Sequence, residues 1–474
     1  MPDHDSDLGI IGAGTMGGNL ALNIADHGFS VAVYDASADR VREFARKYEI
    51  SGKIIAAGTL PEMVGLLRRP RAVLALVPAG QPVDDVIESL IPCFDKGDLI
   101  IDGGNSHFTD TNRRAALLAE KSILFMGLGI SGGESGARHG PSLMPGGAIE
   151  AYERVRPVLE KIAAHVNGDP CVAHLGTGSA GHYVKMVHNG IEYALMQLIS
   201  ETYDIMKRGL KMSADQLAEV YSKWNEGELN SYLLEITAHI FRCKDPQDPK
   251  HALIDMVLDK ASQKGTGKWT SWEAMDRQVP TPNIDAAVLM RNLSDRLTER
   301  IQASKRLLGP DHGFRSNGDW LTKHLEDAYY AGMVMCYAQG MELLGEASKA
   351  YGYGLDLELV ARIWRGGCII RAALLDDIRA AYGSQPGLPN LLLDKHLGME
   401  VAKRQNSLRA VVGAAAERGL PAPGFSASLA YFDAYRSTLL PVNLIQAQRD
   451  YFGAHTYERR DMPGKIFHTE WSEM

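Results

Sequence analysis

Cysteine is scarce in this sequence of 474 residues. The five cysteines, an odd number, are widely spaced and form no CxxC pair, which disfavours a disulfide framework and a structural zinc site. The acidic start, MPDHDSD, has neither the basic region nor the apolar run of a signal peptide. The longest uncharged apolar-rich stretch, Ala328 to Met341, is shorter than the roughly 20 residues that a membrane helix needs. We therefore expect a cytoplasmic protein with no membrane partner.

An excess of positive charge is also missing. Lysine and arginine number 50 against 58 aspartates and glutamates, a net charge of -8, so no chain-wide positive field would attract nucleic acid. If the ligand is an anion, local basic residues must overcome this charge. The composition, 45% hydrophobic and 23% charged, is globular. Because a single core rarely exceeds about 250–300 residues, we expect two or three domains.

The chain divides into a sheet-forming part and a helical part. Apolar runs such as LGII, SVAVY, AVLALV and DLIID alternate with helical segments in the first part, which predicts a doubly wound parallel sheet over residues 1–178. Long segments of 3.6-residue periodicity predict an all-helical domain over residues 179–440. Residues 441–474 form a tail with too few apolar side chains for a core of its own, so it is either mobile or packed against something else.

The helical part carries a weak internal repeat. A shift of 140 residues pairs Leu217 with Leu357, Val220 with Val360, Trp224 with Trp364, Gly227 with Gly367 and Leu234 with Leu374. An internal duplication would produce such pairs. Chance matching between amphipathic helices would produce them as well, and the sequence alone leaves both interpretations open.

A glycine motif predicts dinucleotide binding. It follows a predicted strand and opens a predicted helix, the context in which GxGxxG is informative, and consists of Gly12, Ala13, Gly14, Thr15, Met16 and Gly17. The first glycine suits a tight turn, the second a close approach to a pyrophosphate, and the third the packing of helix on strand. Asp35 ends the second strand, at the spacing where a carboxylate accepts hydrogen bonds from ribose hydroxyls.

Asp35 also bears on the choice of cofactor. Its carboxylate would repel a 2'-phosphate, and the residues that follow are Ala36 and Ser37 rather than arginine, which favours NAD over NADP. Asp35 could instead merely cap the next helix. Arg40, or the arginine cluster of residues 68–71, could still supply charge to a phosphate.

A polar stripe on the first helix of the helical part is the candidate catalytic face. Lys185, His188, Asn189 and Glu192 follow the i, i+3, i+4, i+7 spacing of one face, with Lys185 and Glu192 roughly 10 Å apart along the axis. A base and an acid at opposite ends of a small substrate would need this reach. A solvated polar stripe is the simpler interpretation, but this face begins where a cleft between the domains would form.

Two glycine-rich turns follow strands of the first part. One contains Asn105 in IIDGGNSHF, and the other contains Ser131, Gly132 and Gly133 in GISGGESGARHGPSLMPGG. Ligands bind open α/β sheets beyond the carboxyl ends of their strands, where these turns lie. They are either ordinary turns or sources of backbone N–H, amide and hydroxyl groups for a polar substrate.

Longer motifs in fixed order resemble those of the decarboxylating 6-phosphogluconate dehydrogenases. They include DGGNS, SGGExGARxGPSLMPGG, VKMVHNGIEY, QKGTGKW, WRGGCIIR and NLIQAQRDYFGAHTYE, and they extend from about Gly9 to near the C-terminus. The resemblance implies a Rossmann-like domain, a large duplicated all-α domain and a C-terminal tail, in a homodimer with tail exchange. It also implies oxidative decarboxylation of 6-phosphogluconate to ribulose 5-phosphate and CO2 in the pentose phosphate pathway, with reduction of a nicotinamide cofactor and no metal.

The same resemblance assigns roles to individual residues. Lys185 would be the general base and Glu192 the acid that protonates C1 of the enediol. Contacts to the substrate carboxylate and hydroxyls would come from Asn105, Ser131, Gly132, Gly133, His188 and Asn189. The phosphate end would be held by Tyr193, Lys264, Thr266 and Arg291, and the other subunit's site would receive Arg449 and His455.

Departures from the family lie in the cofactor site, whose expected residues also include Val77, Pro78, Ala79 and Asn105. The usual Asn-Arg-Thr reads Asp35-Ala36-Ser37, a common alanine is Gly14, and Pro78 replaces a common lysine. NADP is the family norm, but these changes favour NAD. The alternatives are a related β-hydroxyacid dehydrogenase without decarboxylation and an inactive cofactor-binding relative. The first would not need the phosphate-end residues and the tail, and the second would be expected to lose Lys185 or Glu192.

Overall fold

A computed structural model describes residues 5–48, 52–314 and 318–473. Within them, seven strands form one sheet in the order β3-β2-β1-β4-β5-β6-β7. Strands β1 to β6 are parallel, whereas β7 is antiparallel to β6. The strands are β1 (Leu8–Ile11), β2 (Val31–Tyr34), β3 (Ile54–Ala56), β4 (Ala72–Ala75), β5 (Leu99–Asp102), β6 (Leu124–Ser131) and β7 (Ser142–Gly147).

Helices cover both faces of this sheet, because its central strands are apolar on both sides and must be buried on both. Two separate apolar cores result, one on each face. The helices are α1 (Thr15–Asp26), α2 (Ala38–Tyr48), α3 (Leu60–Gly65), α4 (Gln81–Leu90), α5 (Phe108–Glu120), α6 (Gly133–His139) and α7 (Ile149–Ile162). A small hairpin of β8 (His165–Val166) and β9 (Asp169–Pro170) follows. The predicted doubly wound sheet is confirmed.

The segment after Ser131 is predicted to be a glycine-rich turn, but the structure has a helix and a strand there. Ser131 is the last residue of β6, Gly132 caps helix α6, and Gly133 begins that helix. The following residues form the antiparallel strand β7. Gly132 has φ +115°, a conformation that side chains with a Cβ rarely adopt, so the chain turns there within a single residue.

The second part is helical and is built around two long buried helices, α8 and α14. Its own core is formed largely by these helices and by α9, α10, α15, α16 and α17. The helices are α8 (Ala180–Asp204), α9 (Ala214–Trp224), α10 (Tyr232–Arg242), α11 (Thr266–Asp276), α12 (Pro282–Ser294), α13 (Leu297–Arg306), α14 (Gly318–Tyr351), α15 (Leu357–Trp364), α16 (Leu374–Ser384), α17 (Lys395–Glu417) and α18 (Pro423–Tyr435). None of the described helices is both long and apolar enough to span a membrane.

Four helices of this part recur in the same order about 140 residues later. Helices α8, α9, α10 and α12 correspond in sequence position to α14, α15, α16 and α18. Trp224 and Trp364, which the 140-residue shift pairs, end α9 and α15, and both are buried. Chance matching does not account for recurring helix ends, so the structure favours the duplication.

The tail folds around a polar centre rather than an apolar core. It comprises α19 (Val442–Gly453), β10 (Tyr457–Arg459) and β11 (Met462–Phe467). The buried carboxylate of Asp450 accepts hydrogen bonds from the backbone N–H groups of Thr456 and Thr469, the His468 ring and the Trp471 indole. Several large apolar side chains of the tail, Leu444, Ile445, Tyr451, Phe452 and Ile466, are exposed.

Candidate active site

Glycines allow α8 to lie directly on the sheet edge. A Cβ on Gly129 of β6 would stand 2.6 Å from the Lys185 Cβ, and one on Gly146 of β7 would stand 2.1 Å from the Gly181 backbone nitrogen. Close approach of backbones is therefore possible only because these positions lack side chains. The contact places Lys185 at the junction of the two parts, as the sequence predicted.

The four polar residues of α8 form one cluster. The Lys185 Nζ donates to Asn189 Oδ1 at 2.8 Å and lies 3.5 Å from His188 Nδ1. His188 Nδ1 lies 3.9 Å from Glu192 Oε2. Lys185, His188 and Asn189 are buried. The interpretation of this face as a solvated stripe is wrong, because three of its four side chains are buried and helix α8 packs against β6 and β7.

Burial shifts the acid–base properties of this cluster in useful directions. Loss of water lowers the pKa of Lys185, although the Glu192 charge opposes the shift. Burial raises the pKa of Glu192, and the positive charges of Lys185 and Arg291 oppose that shift. Burial and the Lys185 charge hold the pKa of His188 well below its usual value. Lys185 is therefore suited to be a base and Glu192 an acid.

A loop from the helical part completes the wall of this site, and no role had been predicted for it. Ser131 Oγ lies 3.2 Å from His188 Nε2 and within 3.5 Å of the Ile369 backbone nitrogen. Gly367, at φ +65°, has its carbonyl bonded to the Ser142 N–H at 2.8 Å. The edge of the Trp364 ring faces His188. The sequence signal for this loop is the pair of adjacent glycines in WRGGC, which predicts a turn but does not indicate which residues the turn contacts.

The residues predicted to hold a phosphate are brought together beside Glu192. The Arg291 guanidinium stacks on the Tyr193 ring at 3.5 Å from its centroid. Thr266 begins α11 and is buried, whereas Lys264, just before it, is exposed. A Cβ on Gly267 would stand 2.5 Å from the Tyr193 ring, so the glycine lets α11 approach that ring.

Three other residues that the sequence predicts to contact substrate lie apart from the cluster around Lys185. Asn105 is exposed in the loop after β5, at the same carboxyl edge of the sheet as Ser131. Arg449 donates to Gln446 of its own helix at 3.0 Å, and His455 is exposed. Among the described residues, no hydrogen bond joins either tail residue to the cluster around Lys185.

The glycine motif has the predicted turn geometry. Gly12 has φ +107°, and a Cβ there would stand 2.5 Å from the Leu76 carbonyl oxygen. A Cβ on Gly17 would overlap the Gly12 carbonyl, whereas one on Gly14 meets open space. A cavity of about 420 Å³ opens beside the motif, and Asp35, Ala36, Val77 and Pro78 help to line it. The motif and this cavity fit a dinucleotide.

Asp35 is already engaged with the backbone. Its Oδ2 accepts the Ala13 N–H and its Oδ1 accepts the Ser37 N–H, both at 2.8 Å. Each oxygen keeps further acceptor capacity for a ribose hydroxyl. The carboxylate therefore does more than cap the next helix, because it also ties β2 to the glycine motif.

Only one of the suggested arginines lies beside this cavity. Arg40 lines it, and its Nη1 stands 3.9 Å from the Asp35 carboxylate. Arg68, Arg69 and Arg71 form ion pairs with Asp7, Asp95 and Asp98 at the opposite, amino-terminal edge of the sheet. That cluster cannot reach a 2'-phosphate at the carboxyl edge.

Comparisons with known proteins agree with this arrangement. The family model for the NAD binding domain of 6-phosphogluconate dehydrogenase matches residues 7–176, and the model for its C-terminal domain matches residues 181–471. The NADP(+)-dependent, decarboxylating 6-phosphogluconate dehydrogenase of Bacillus subtilis is 51% identical over 98% of both chains. This chain belongs to the 6-phosphogluconate dehydrogenase family.

Other members of this family are also similar along nearly their whole length. The decarboxylating 6-phosphogluconate dehydrogenase of a Synechocystis species is 51% identical, over 98% of this chain and 97% of its own. A solved Plasmodium falciparum 6-phosphogluconate dehydrogenase matches with a TM-score of 0.94 and 45% identity, over 98% of this chain and 100% of that one. That enzyme was studied without ligand, with its cofactor NADP+ and with its substrate 6-phosphogluconate. In the present protein, no group of three or more His, Cys, Asp or Glu side chains among the described residues could hold a metal ion.

Proposed function

We propose that this protein oxidises and decarboxylates 6-phosphogluconate to ribulose 5-phosphate and CO2 in the pentose phosphate pathway. The observation that carries the proposal is the placement of the buried Lys185 and the half-buried Glu192 on one helix, with pKa values that move in opposite directions. Family membership and the activity named for the similar enzymes support it.

Lys185 acts as the base in the first step. Its neutral amine, favoured by burial, removes the proton of the 3-hydroxyl, and the ammonium so formed stays hydrogen-bonded to Asn189. The glycine motif and the cavity beside it would hold a nicotinamide dinucleotide, which would supply the acceptor for the hydride of C3. The Lys185 ammonium then donates a hydrogen bond to the 3-keto oxygen and stabilises the negative charge that develops there as CO2 leaves.

Glu192 acts as the acid in the last step. It lies two turns further along α8, and burial keeps its carboxyl protonated to a higher pH than usual. It protonates C1 of the enediol, which yields the ketose. Lys185 and Glu192 thus serve opposite ends of the reacting carbons from one rigid helix.

The remaining residues of the site hold the substrate in place. Its carboxylate and hydroxyls are surrounded by Asn105, Ser131, Gly132, Gly133, His188 and Asn189. Its phosphate is held by Tyr193, Lys264, Thr266 and Arg291. Arg291 already stacks on Tyr193, so less conformational freedom is lost when the phosphate binds. These few basic groups outweigh the net charge of -8 within the site.

We further propose a homodimer in which each tail reaches the partner subunit. Residues 1–178 bind the dinucleotide, residues 179–440 bind substrate and form the dimer, and residues 441–474 cross over. Exposed apolar side chains on the tail and on the helical part, such as Phe452, Trp272 and Leu289, would be covered there. Arg449 and His455 would then complete the other subunit's site. The cytoplasm, where the five cysteines would stay free, is the proposed location.

NAD is proposed to be used at least as well as NADP. Asp35 faces the cavity with a carboxylate, Ala36 replaces the arginine common in the family, and the cluster of Arg68, Arg69 and Arg71 lies at the other edge. Because Arg40 lines the same cavity, the preference rests on Asp35 and Ala36 together. The double variant Asp35→Asn, Ala36→Arg should shift the ratio of kcat/KM values strongly toward NADP. An unchanged ratio would contradict the proposal.

A steady-state assay with 6-phosphogluconate and each cofactor tests the function itself. Reduced nicotinamide and CO2 should appear together and in equal amounts. Reduction without CO2 would favour a β-hydroxyacid dehydrogenase, and no turnover with either cofactor would favour an inactive relative. Lys185→Met should lower kcat by about 10²- to 10⁴-fold. Lys161→Met, which changes an exposed lysine of α7, is the matched control and should leave kcat unchanged.

A further inference from the structure

Arg114 lies between the two loops that face cofactor and substrate. It projects from α5 and is fully buried, with 0% of its side chain exposed. One neighbouring loop, residues 77–80, follows β4 and helps to line the dinucleotide cavity. The other, residues 103–107, follows β5 and contains Asn105. A buried guanidinium must have its hydrogen bonds satisfied, so its partners show what it holds.

Each guanidinium nitrogen of Arg114 is bonded within this space. Nε and Nη2 donate to the two carboxylate oxygens of Asp84, at 2.8 and 3.2 Å. Nη2 also donates to the Gly80 carbonyl at 2.9 Å. Nη1 donates to Asp102 Oδ2 at 3.3 Å and to Ser106 Oγ at 3.2 Å. These five contacts match the five N–H groups of an arginine, so none remains for a ligand.

The partners belong to α4, to β5 and to the two loops. Asp84 lies in the first turn of α4 and Gly80 is the residue that caps this helix. Asp102 ends β5 and Ser106 lies in the loop after it, where the Ser106 hydroxyl donates to Asp102 Oδ2 at 2.6 Å. The planar fork of Arg114 therefore fixes the separation of the two loops.

The same network reaches the catalytic helix. The backbone carbonyl of Asp102 lies 3.0 Å from His182 Nε2, and the other ring nitrogen of His182 lies 2.6 Å from Thr111 Oγ1. A carbonyl oxygen only accepts, so Nε2 carries the proton. His182 is buried on α8, one turn before Lys185. The end of β5 is thus tied to Arg114 on one side and to the helix of Lys185 on the other.

We infer that Arg114 is a positioning residue for hydride transfer. This inference rests on the proposed function. Arg114 keeps the loop of residues 77–80, beside the dinucleotide cavity, at a fixed distance from the loop of residues 103–107 and from helix α8, which hold the substrate. Reactions between two bound molecules lose about 10²-fold in rate when the reacting atoms are misplaced by about 1 Å. Arg114 touches neither reactant, so its effect must pass through Gly80, Ser106 and Asp102.

Arg114→Lys tests this inference, because lysine keeps the charge but offers three donors from a single atom instead of a fork. Arg113→Lys is a closely matched control. The neighbouring Arg113 also donates to Asp84, at 2.9 and 3.0 Å, but 54% of its side chain is exposed and it touches neither loop. Both variants keep the net charge, and only one changes the spacing of the loops.

In Arg114→Lys, kcat should fall about 10- to 100-fold, the KM of the cofactor should rise, and the primary isotope effect with 3-deuterated 6-phosphogluconate should increase. The isotope effect should grow because hydride transfer becomes slower than the other steps. A merely structural role would lower the amount of folded enzyme and leave both KM and the isotope effect unchanged. In Arg113→Lys all three quantities should stay at the wild-type values. Equal behaviour of the two variants would overturn the inference.

Two further measurements keep the test decisive. If Arg114→Lys fails to fold, Ser106→Ala removes one contact of the fork at the substrate loop and should raise the isotope effect in the same direction, to a smaller extent. An unchanged isotope effect there would contradict the inference. If the wild-type enzyme shows no turnover, the proposed function is wrong. The affinity for NADH, measured by fluorescence, would then still be expected to fall in Arg114→Lys and not in Arg113→Lys.

Discussion

Asp35 holds the glycine motif through its carboxylate, and the variant Asp35→Asn tests this role. The carboxylate accepts the N–H groups of Ala13 and Ser37, one on each oxygen, at 2.8 Å. Asparagine has one acceptor oxygen, so its amide nitrogen must face one of the two N–H groups. One half-buried backbone donor then loses its partner beside the Asp35 residue, which is only 8% exposed.

The magnitude follows from the cost of one unsatisfied donor. Leaving a buried hydrogen-bonding group without a partner costs about 1–3 kcal/mol. Because about 1.4 kcal/mol corresponds to a factor of ten in an equilibrium constant, local opening of the motif should become about 5- to 150-fold more frequent. The change should be confined to the glycine motif and the end of β2, since the hydrogen bonds of Asp35 to described residues join only Ala13 and Ser37.

Hydrogen exchange followed by mass spectrometry measures this opening in the protein without cofactor. Peptides that cover Ala13 and Ser37 should exchange faster in Asp35→Asn by the factor given above. All six tryptophans lie beyond residue 178, so tryptophan fluorescence reports on the helical part and the tail. Its unfolding midpoint should stay unchanged and thereby separate a local effect from a global one.

Asp39→Asn is the control for charge. Asp39 lies four residues further on, its side chain is 88% exposed, and it pairs with Arg42 at the surface. Its loss should leave the exchange of both peptides unchanged, because exposed ion pairs contribute little. If Asp35→Asn exchanged like the wild type, the carboxylate would not hold the motif. If Asp35→Asn did exchange faster, the double variant Asp35→Asn, Ala36→Arg would have to be compared with Ala36→Arg alone. This comparison separates a change of cofactor preference from loosening of the glycine motif.

The pH dependence of kcat/KM should be bell-shaped, because Lys185 must be neutral, with a pKa lowered by burial, and Glu192 must be protonated, with a pKa raised by burial. Glu192→Gln should remove the alkaline limb and lower kcat by about 10²-fold or more; a limb that persists would belong to another group. Gly12→Ala, whose added Cβ would stand 2.5 Å from the Leu76 carbonyl oxygen, should abolish NADH binding measured by fluorescence, whereas Gly14→Ala, which introduces the alanine common in the family, should retain it. Deletion of residues 441–474 should abolish turnover, whereas light scattering should still find the dimer formed by residues 179–440; full activity of the shortened protein would refute tail exchange.

The sequence predicted those features whose cause is local. The glycine motif is recognisable because a tight turn at Gly12 and packing at Gly17 both forbid a side chain, whatever the rest of the chain does. The stripe of Lys185 and Glu192 is likewise set by helical spacing alone. Their burial was not predictable in this way, because it depends on glycines of β6 and β7 that lie about 40 to 60 residues earlier.

Features that depend on distant partners were missed or misjudged. The loop around Gly367 meets Ser142 across more than 200 residues, and no periodicity encodes that contact. The arginines at 68–71 looked available for a phosphate, yet their aspartate partners place them at the wrong edge of the sheet. The segment after Ser131 is rich in glycine and was predicted to be a turn, but its later residues pair with β6 as β7.

The partners of Lys185 explain why its burial yields a base rather than a structural ion pair. Its closest acceptor is the neutral amide of Asn189 at 2.8 Å, and the ring of His188 beside it is uncharged because burial lowers its pKa. A carboxylate at hydrogen-bond distance would favour the ammonium and raise the pKa of Lys185, whereas an amide accepts a hydrogen bond without a full charge. The Glu192 carboxyl, two turns away, favours the ammonium only through space, and burial favours its neutral form. The helix therefore keeps the acid and the base of the reaction close enough to serve one substrate and far enough apart not to neutralise each other.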